Sequence, residues 1–370
     1  MTFEETLDEL KTLKDVRPEI CEKIKSHNLP VIIYGAGIMA EYITKNLKSY
    51  GVEISGYAVD EEYYKPNQSY LERPLCNFAE LSAEPDKYVF VLGFNDDNRD
   101  STPIKAFLNN PQIIRYAFCY DFKIAPNLNY KYISANREKF AETFYWLADE
   151  FSKKTMTEFL KLKITYDLKH NFETYHPNQY FNELTNGVRT PNGGGQYVDC
   201  GAFNGDTVEK FINWSGGNYK KIFAVEADPL NFIALKKFIQ EKNYKNVATV
   251  NCGVWNEKTT LTFSDSNSTS SSVSNEGNIK IATDTIDNIT AGEKIKFIKM
   301  DIEGAELPAL QGAAETIKKF KPTLAICAYH KAEDLITLPQ FIKTLNPNYK
   351  FYLRKHTLAS DAELVLYAIP

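Results

Sequence analysis

The stretch Tyr197-Val-Asp-Cys-Gly-Ala-Phe-Asn-Gly-Asp-Thr207 decides the fold of this 370-residue chain. An apolar run ends in the acid Asp199 and a turn bounded by Gly201 and Gly205, and a helix start follows at Asp206-Thr207. A second apolar run, Ile222-Phe-Ala-Val-Glu226, ends in another acid. That order is how a doubly wound α/β domain builds a nucleotide site at the carboxyl ends of its strands. Gly201 and Gly205 let backbone approach a ligand where a Cβ would clash. Glu226 is expected to accept both hydrogen bonds of a ribose diol. Asp228-Pro229 then supply an N-cap and a helix-initiating proline. A third segment, Ile298-Lys-Met-Asp-Ile-Glu-Gly-Ala-Glu-Leu307, again carries acids, Asp301 and Glu303, to a strand end that opens into a helix.

Outward from this core, the pattern predicts a domain over 186–370 with strands at 196–200, 221–226, 247–252, 294–301, 322–329, 350–355 and 363–369. The last two runs are separated by a short polar turn and are expected to pair antiparallel. Ser264 to Asn275 is a serine-rich segment between strand-like flanks and reads as a loop. Upstream, residues 1–28 read as a helical lead. A smaller α/β unit is expected over 29–125, with Val31-Ile-Ile-Tyr34, the turn Gly35-Ala-Gly37, a strand ending at Asp60, and Tyr88 to Gly93 leading into Asn95-Asp-Asp-Asn98. Gly35, Gly37 and Asp60 have the spacing of a phosphate turn and a ribose acid, or of a purely structural turn. Residues 126–185 read as a helical linker or lid. Phe140, Phe144, Leu147 and Phe151 recur at helical spacing, and a second helix is expected to start at the capping box Thr155-x-x-Glu158.

Composition sets the class. Apolar residues make up 43% and charged residues 25%, an ordinary globular mix. Lys plus Arg is 43 against 48 Asp plus Glu, a net charge of -5, so no polyanion such as nucleic acid is expected as a partner. No run approaches the length of a membrane span, and the acidic N-terminus lacks a signal-peptide pattern. Six cysteines (Cys21, Cys76, Cys119, Cys200, Cys252, Cys327) have no metal-type spacing, and several lie in apolar runs. A reduced, cytoplasmic protein is expected. Nothing in the sequence sets an oligomeric state.

Val198-Asp-Cys-Gly-Ala-Phe-Asn-Gly205, Val225-Glu-Ala-Asp-Pro229, Lys299-Met-Asp-Ile-Glu-Gly-Ala-Glu306 and Leu310-Gln-Gly-Ala313 resemble the FkbM family of methyltransferases. The resemblance is strong over about 195–320 and extends weakly to 370. It implies a Rossmann-like domain with a seven-stranded, mostly parallel sheet, S-adenosylmethionine as cofactor, and O-methylation of sugar hydroxyls or polyketide alcohols. Phe203 stands where many methyltransferases have glycine. The first α/β unit resembles the nucleotide-sugar-binding domain of bacterial sugar acetyltransferases, on Ile33-Tyr-Gly-Ala-Gly37 and Asp60.

In that frame Asp199 is expected to orient the methionine ammonium. Amides at the helix start Asp206-Thr207 would lie near the amino-acid moiety, with Thr207 alternatively an N-cap. Asn251 ends a strand where adenine would lie, or simply packs there. Asp301 and Glu303 are expected beside the methyl group, one of them on the acceptor hydroxyl or the sulfonium and the other as an alternative cap of the following helix. His330, at the end of the next strand, is expected to act as general base, since an imidazole titrating near neutrality suits loss of the hydroxyl proton. A metal needs more ligands than the 301–303 segment offers; His330 could join it in space, but none is expected. Arg354 and His356 could bind an acidic group of the acceptor, or be surface charge. Tyr180 could form part of a lid, or pack in the core. The reading is an S-adenosylmethionine-dependent O-methyltransferase acting on a glycan or nucleotide-linked sugar. A nicotinamide-dependent sugar oxidoreductase and a non-catalytic nucleotide-sugar binder are the alternatives.

Overall fold

The computed structural model describes residues 2–95, 102–120, 124–188, 195–263 and 279–370. Two compact units divide the chain. The first comprises Met1–Arg137, Lys153–Pro177 and Lys355–Glu363; the second comprises Glu138–Ser152, Asn178–Arg354 and Leu364–Pro370. The stretch expected as a linker, 126–185, is thus shared between them.

The first unit holds six strands: β1 Val31–Tyr34, β2 Gly56–Val59, β3 Ser69–Tyr70, β4 Arg73–Asn77, β5 Val89–Leu92 and β6 Ile114–Tyr116. They lie in the order β3-β4-β2-β1-β5-β6. All neighbours are parallel except the β3–β4 hairpin. β1, β2 and β5 are buried at every position. That explains why they read as continuous apolar runs, since both faces of a parallel sheet are covered. One face packs Ile33, Ile43, Leu47, Val89 and Val91, and the other packs Ile32, Phe90, Ile104 and Phe107.

In the second unit the strands are β7 Gln196–Cys200, β8 Ile222–Glu226, β9 Val247–Asn251, β10 Gly253–Val254, β11 Thr260–Phe263, β12 Ile279–Asp284, β13 Ile295–Met300, β14 Thr323–Cys327, β15 Lys350–Lys355 and β16 Leu364–Ile369. Seven form the main sheet, ordered β15-β16-β14-β13-β7-β8-β9, and β10, β12 and β11 form a small second one. β9, β8, β7, β13 and β14 run parallel, and β16 runs antiparallel to β14. The sheet order reverses beside β7, so its carboxyl end and that of β13 border the crevice where ligands of such sheets bind. Tyr197 stacks between Phe211 and Phe297, with ring centroids at 4.4 and 5.4 Å, and fixes the helix Asp206–Trp214 on the sheet. Asp228 caps the helix Pro229–Glu241, accepting from the amides of Leu230 and Asn231.

Two sequence expectations give way here. The first of the helices bridging 126–185 ends at Trp146, because Leu147 bridges to Phe351 and the Ala148 amide donates to the Phe351 carbonyl. The second starts at Glu150, where Asp149 accepts from the Ser152 amide at 2.7 Å. Thr155 therefore lies inside the helix, and Glu158 pairs with His170 and Lys161 instead of closing a capping box. The serine-rich segment 264–275 and residues 96–98 of the polar turn lie outside the described residues. None of the six cysteines, all among the described residues, forms a disulfide, and no described helix is long and apolar enough to cross a membrane.

Candidate active site

β7 delivers Asp199 to a site with no solvent exposure. Its Oδ2 accepts from the Thr207 hydroxyl at 2.5 Å, and its Oδ1 lies 3.2 Å from the Lys299 ammonium. Burial pushes the Asp199 carboxyl up, and Lys299 and Thr207 oppose that shift. Lys299, equally buried on β13, also donates to the carbonyls of Gly201 at 2.6 Å and Cys200 at 3.3 Å. One ammonium therefore neutralises the buried acid and pins the turn that follows it. Asp199 is fully buried, with Lys299 as its cation, rather than open to a ligand ammonium as expected.

Steric crowding explains the glycines. A Cβ on Gly201, whose φ is +79°, would sit 1.9 Å from the Asp301 carbonyl oxygen. On Gly205, at φ +97°, it would meet Phe238 at 2.7 Å. Both glycines close the strand-end crevice tightly, and Gly205 starts the helix Asp206–Trp214 with no side-chain cap. Asp206 pairs outward with Lys210 at 3.2 Å. Phe203, in the same turn, takes the left-handed region at φ 47°.

Glu226 lies at the tip of β8, 8% exposed. It accepts from the amides of Phe203 at 2.8 Å and Asp228 at 2.9 Å, one on each oxygen. Each carboxylate oxygen keeps a second lone pair, enough for a pair of ribose hydroxyls. Burial raises this carboxyl, and the two amides hold the shift back. Asn251 ends β9 and donates to the Glu226 carbonyl at 2.9 Å, tying the two strand tips together. Acid, uncapped helix start and glycine turn are a donor and acceptor set that fits S-adenosylmethionine.

The second half of the site gathers around His330, after β14. Its Nε2 is 3.6 Å from Asp301 Oδ1 and 3.7 Å from Glu303 Oε2, and its Nδ1 is 3.0 Å from Glu306 Oε1. The Tyr180 hydroxyl donates to Asp301 Oδ2 at 3.0 Å. Burial alone would lower His330, but the charges of Glu306, Glu303 and Asp301 outweigh it and raise the imidazole to about 10. These charges favour the protonated ring, which runs against the expectation of a base titrating near neutrality. Burial, reinforced by Asp301 and Glu306, lifts Glu303 to about 7. Asp301 is held low: burial would raise it, but the charges of Lys299 and His330 prevail. Glu303 stands at φ 55° and Tyr180 at φ 62°, both left-handed.

Other expected residues lie elsewhere or face inward. Tyr180 is 2% exposed and serves Asp301, so it is no lid. Arg354 is buried, bound to Asp149 at 2.7 Å and to the Ser152 hydroxyl at 2.9 Å, and is not surface charge. His356 is buried and donates Nδ1 to the His176 carbonyl at 2.7 Å. In the first unit, Gly35 (φ +133°) abuts the Gly93 carbonyl, where a Cβ would stand at 2.4 Å. Gly37 caps the helix Ile38–Ser49, and its carbonyl accepts from the Tyr70 hydroxyl. Asp60 accepts from the Tyr34 hydroxyl at 2.7 Å. Sequence reasoning missed Lys299, Glu306 and Asp334. A lysine within the apolar strand Ile295–Met300 was the signal for the first, because a buried lysine requires a partner.

Residues 199–353 match the family model of the methyltransferase FkbM domain. The methyltransferase FkbM from Methylobacillus flagellatus KT shares the fold, with 22% identity, a TM-score of 0.67, and coverage of 99% of this chain and 98% of that one. An rRNA methylase from Streptococcus thermophilus matches at 12% identity and TM-score 0.34, over 50% of this chain and 90% of that one. Fibrillarin from Aeropyrum pernix, solved with natively bound S-adenosyl-L-methionine, matches at 11% identity and TM-score 0.31, over 50% and 71%. No curated protein sequence matches the chain significantly. The matched residues include both halves of the candidate site, from Asp199 to His330.

Proposed function

We propose that the chain transfers a methyl group from S-adenosylmethionine to a hydroxyl of a glycan or nucleotide-linked sugar. The observation that carries this reading is the pair of acidic strand tips, Glu226 on one side of the β7 turn and Asp301 with Glu303 on the other. Bound in this crevice, S-adenosylmethionine supplies an electrophilic methyl group. Glu226 accepts the ribose hydroxyls, and the uncapped start of the helix Asp206–Trp214 offers amides to the carboxylate of the amino-acid moiety. Lys299 keeps the Gly201 carbonyl and Asp199 in place. Asp301 and Glu303 receive the acceptor hydroxyl. On methyl transfer to that hydroxyl, its proton would pass to one of these carboxylates rather than to His330. Glu303 suits that proton, with its carboxyl near 7.

Calorimetric titration of the full chain with S-adenosylhomocysteine, NAD and nucleotide sugars tests the assignment. Binding of S-adenosylhomocysteine with no response to NAD is expected. The reverse pattern would favour the oxidoreductase, and a response to nucleotide sugars alone would favour a non-catalytic binder. With a methyl donor and an acceptor panel, Glu303→Gln should lower turnover by roughly 10²–10⁴.

A further inference from the structure

We propose that Asp301, Glu303 and His330 form a site for one divalent cation of the Mg²⁺ or Mn²⁺ class. His330 Nε2 lies 3.6 Å from Asp301 Oδ1 and 3.7 Å from Glu303 Oε2. Those separations are too long for hydrogen bonds. They suit co-ligands of one ion: bonds of about 2.1–2.4 Å at angles of about 90–120° set ligand atoms roughly 3.0–4.2 Å apart. One ligand atom from each of the three residues falls within 4.8 Å of the others.

Independent support comes from the imidazole. The His330 side chain is 7% exposed, and neither ring nitrogen has a hydrogen-bond partner among the described residues. A buried imidazole without hydrogen bonds costs free energy that a ligand at Nε2 would recover. Its other nitrogen faces Glu306 Oε1 at 3.0 Å. A carboxylate behind the ring is the arrangement that orients metal-binding histidines. Glu306 is itself fully buried and anchored by the Ile302 amide at 3.0 Å. On the opposite side, Tyr180 fixes Asp301 through Oδ2, leaving Oδ1 toward the ring. Two oxygens and one nitrogen are a mixed set suited to Mn²⁺ or Mg²⁺, with the remaining positions open to water or an acceptor oxygen. Occupation displaces the imidazole proton, as metal binding to histidine requires. The second oxygen of Glu303 stays free for the acceptor hydroxyl. The sequence expectation was of no metal, although His330 could join the 301–303 carboxylates in space; the fold brings the imidazole to them.

The site shares residues with the methyl-transfer reading but does not depend on it, so the test uses the cation alone. The full chain, stripped of metal by chelation, is titrated with Mn²⁺ and followed by electron paramagnetic resonance of the free ion. One ion per chain, bound with a dissociation constant below about 1 mM, is expected. Glu303→Gln and His330→Gln should each weaken binding at least tenfold, and Mg²⁺ should compete. Melting temperature and S-adenosylhomocysteine affinity serve as folding controls, and Glu303→Gln, at the more exposed residue, is the safer variant. Absence of one-to-one binding below that concentration would overturn the proposal. Binding that both variants leave unchanged would overturn it too. Neither result would touch the cofactor assignment, which S-adenosylhomocysteine titration decides separately.

Discussion

The two units each contain a strand, a glycine turn, a helix and a second strand ending in an acid, yet the motifs are put to different use. In the first, the acid Asp60 is taken by Tyr34, whose ring stacks on Phe78 at 3.7 Å and meets Phe94 edge-on at 4.8 Å. In the second, Glu226 accepts only backbone amides and keeps lone pairs to spare. Gly35 exists for contact with Gly93, just past β5, much as Gly201 exists for contact with Asp301. What separates the units is the residue that follows β7's neighbour β13. There Asp301 and Glu303 line the crevice, whereas aromatic rings surround Tyr34 at the end of β1. A glycine turn and an acid at the right spacing therefore specify a strand connection; the side chains around it decide whether a ligand has somewhere to bind.

The largest expected effect sharpens this contrast through buried ion pairs. Lys299→Met would strand Asp199 without a cation, and Lys163→Met would do the same to Asp361, whose Oδ2 lies 2.6 Å away in the first unit. Each should cost about 3–5 kcal/mol in urea unfolding. Only Lys299→Met should also abolish S-adenosylhomocysteine binding. If a folded Lys163→Met chain lost that binding as well, the separation of roles between the units would fail.

Next in size is the pair of strand-end acids. Glu226→Ala should weaken S-adenosylhomocysteine binding by roughly tenfold or more, since hydrogen bonds to a charged group are worth about 1.5–3 kcal/mol each. Asp60→Ala should leave that affinity unchanged and cost about 0.5–1.5 kcal/mol of stability through the lost Tyr34 contact. Saturation-transfer NMR of the full chain with uridine or guanosine diphosphate sugars should give the same signal before and after Asp60→Ala. A signal that Asp60→Ala removes would show that the first unit's turn works as the second unit's does.

Smallest are the ion pairs remote from either turn. Burial alone would raise Asp149 and Glu158, but hydrogen bonds from Arg354 to the first, and from His170 and Lys161 to the second, hold both carboxyls low. A carboxyl lower in the folded chain than in the unfolded one stabilises above its unfolded pKa and loses that contribution as pH falls through its folded value. Asp149→Asn and Glu158→Gln should thus each lower the melting temperature at pH 7 by a few degrees. The difference from the parent chain should shrink below the ordinary carboxyl range, near about pH 4. A gap that persisted there would point to packing rather than charge.

Much of the fold was legible because parallel strands buried on both faces must be continuous apolar runs. Each of the seven strands of the main sheet lies where such a run predicts it, with the acids at the ends of β7, β8 and β13. Short elements escaped: β3 and β4 are half-exposed or exposed over most of their length and carry no period, and β6 is three residues long. The helix start at Glu150 escaped because Thr155-x-x-Glu158 offers an equally good local signal, and only tertiary pairing of Glu158 rules it out. Around His330 the residue types were readable but their titration was not. Intrinsic pKa belongs to the residue, whereas the shift to about 10 comes from Glu306, Glu303 and Asp301, brought together by folding.

Tyr180, Phe203 and Glu303 share a left-handed backbone that glycine or asparagine would adopt at less cost. Anyone redesigning this chain for heat resistance would be drawn to those three positions first, because relieving each should raise the melting temperature. Replacing them would also remove the hydroxyl that steadies Asp301, the ring in the β7 turn and a carboxylate beside His330. Under the proposed function, durability and chemistry compete for the same three residues, and a stabilised variant selected without an activity screen should drift toward an inert scaffold.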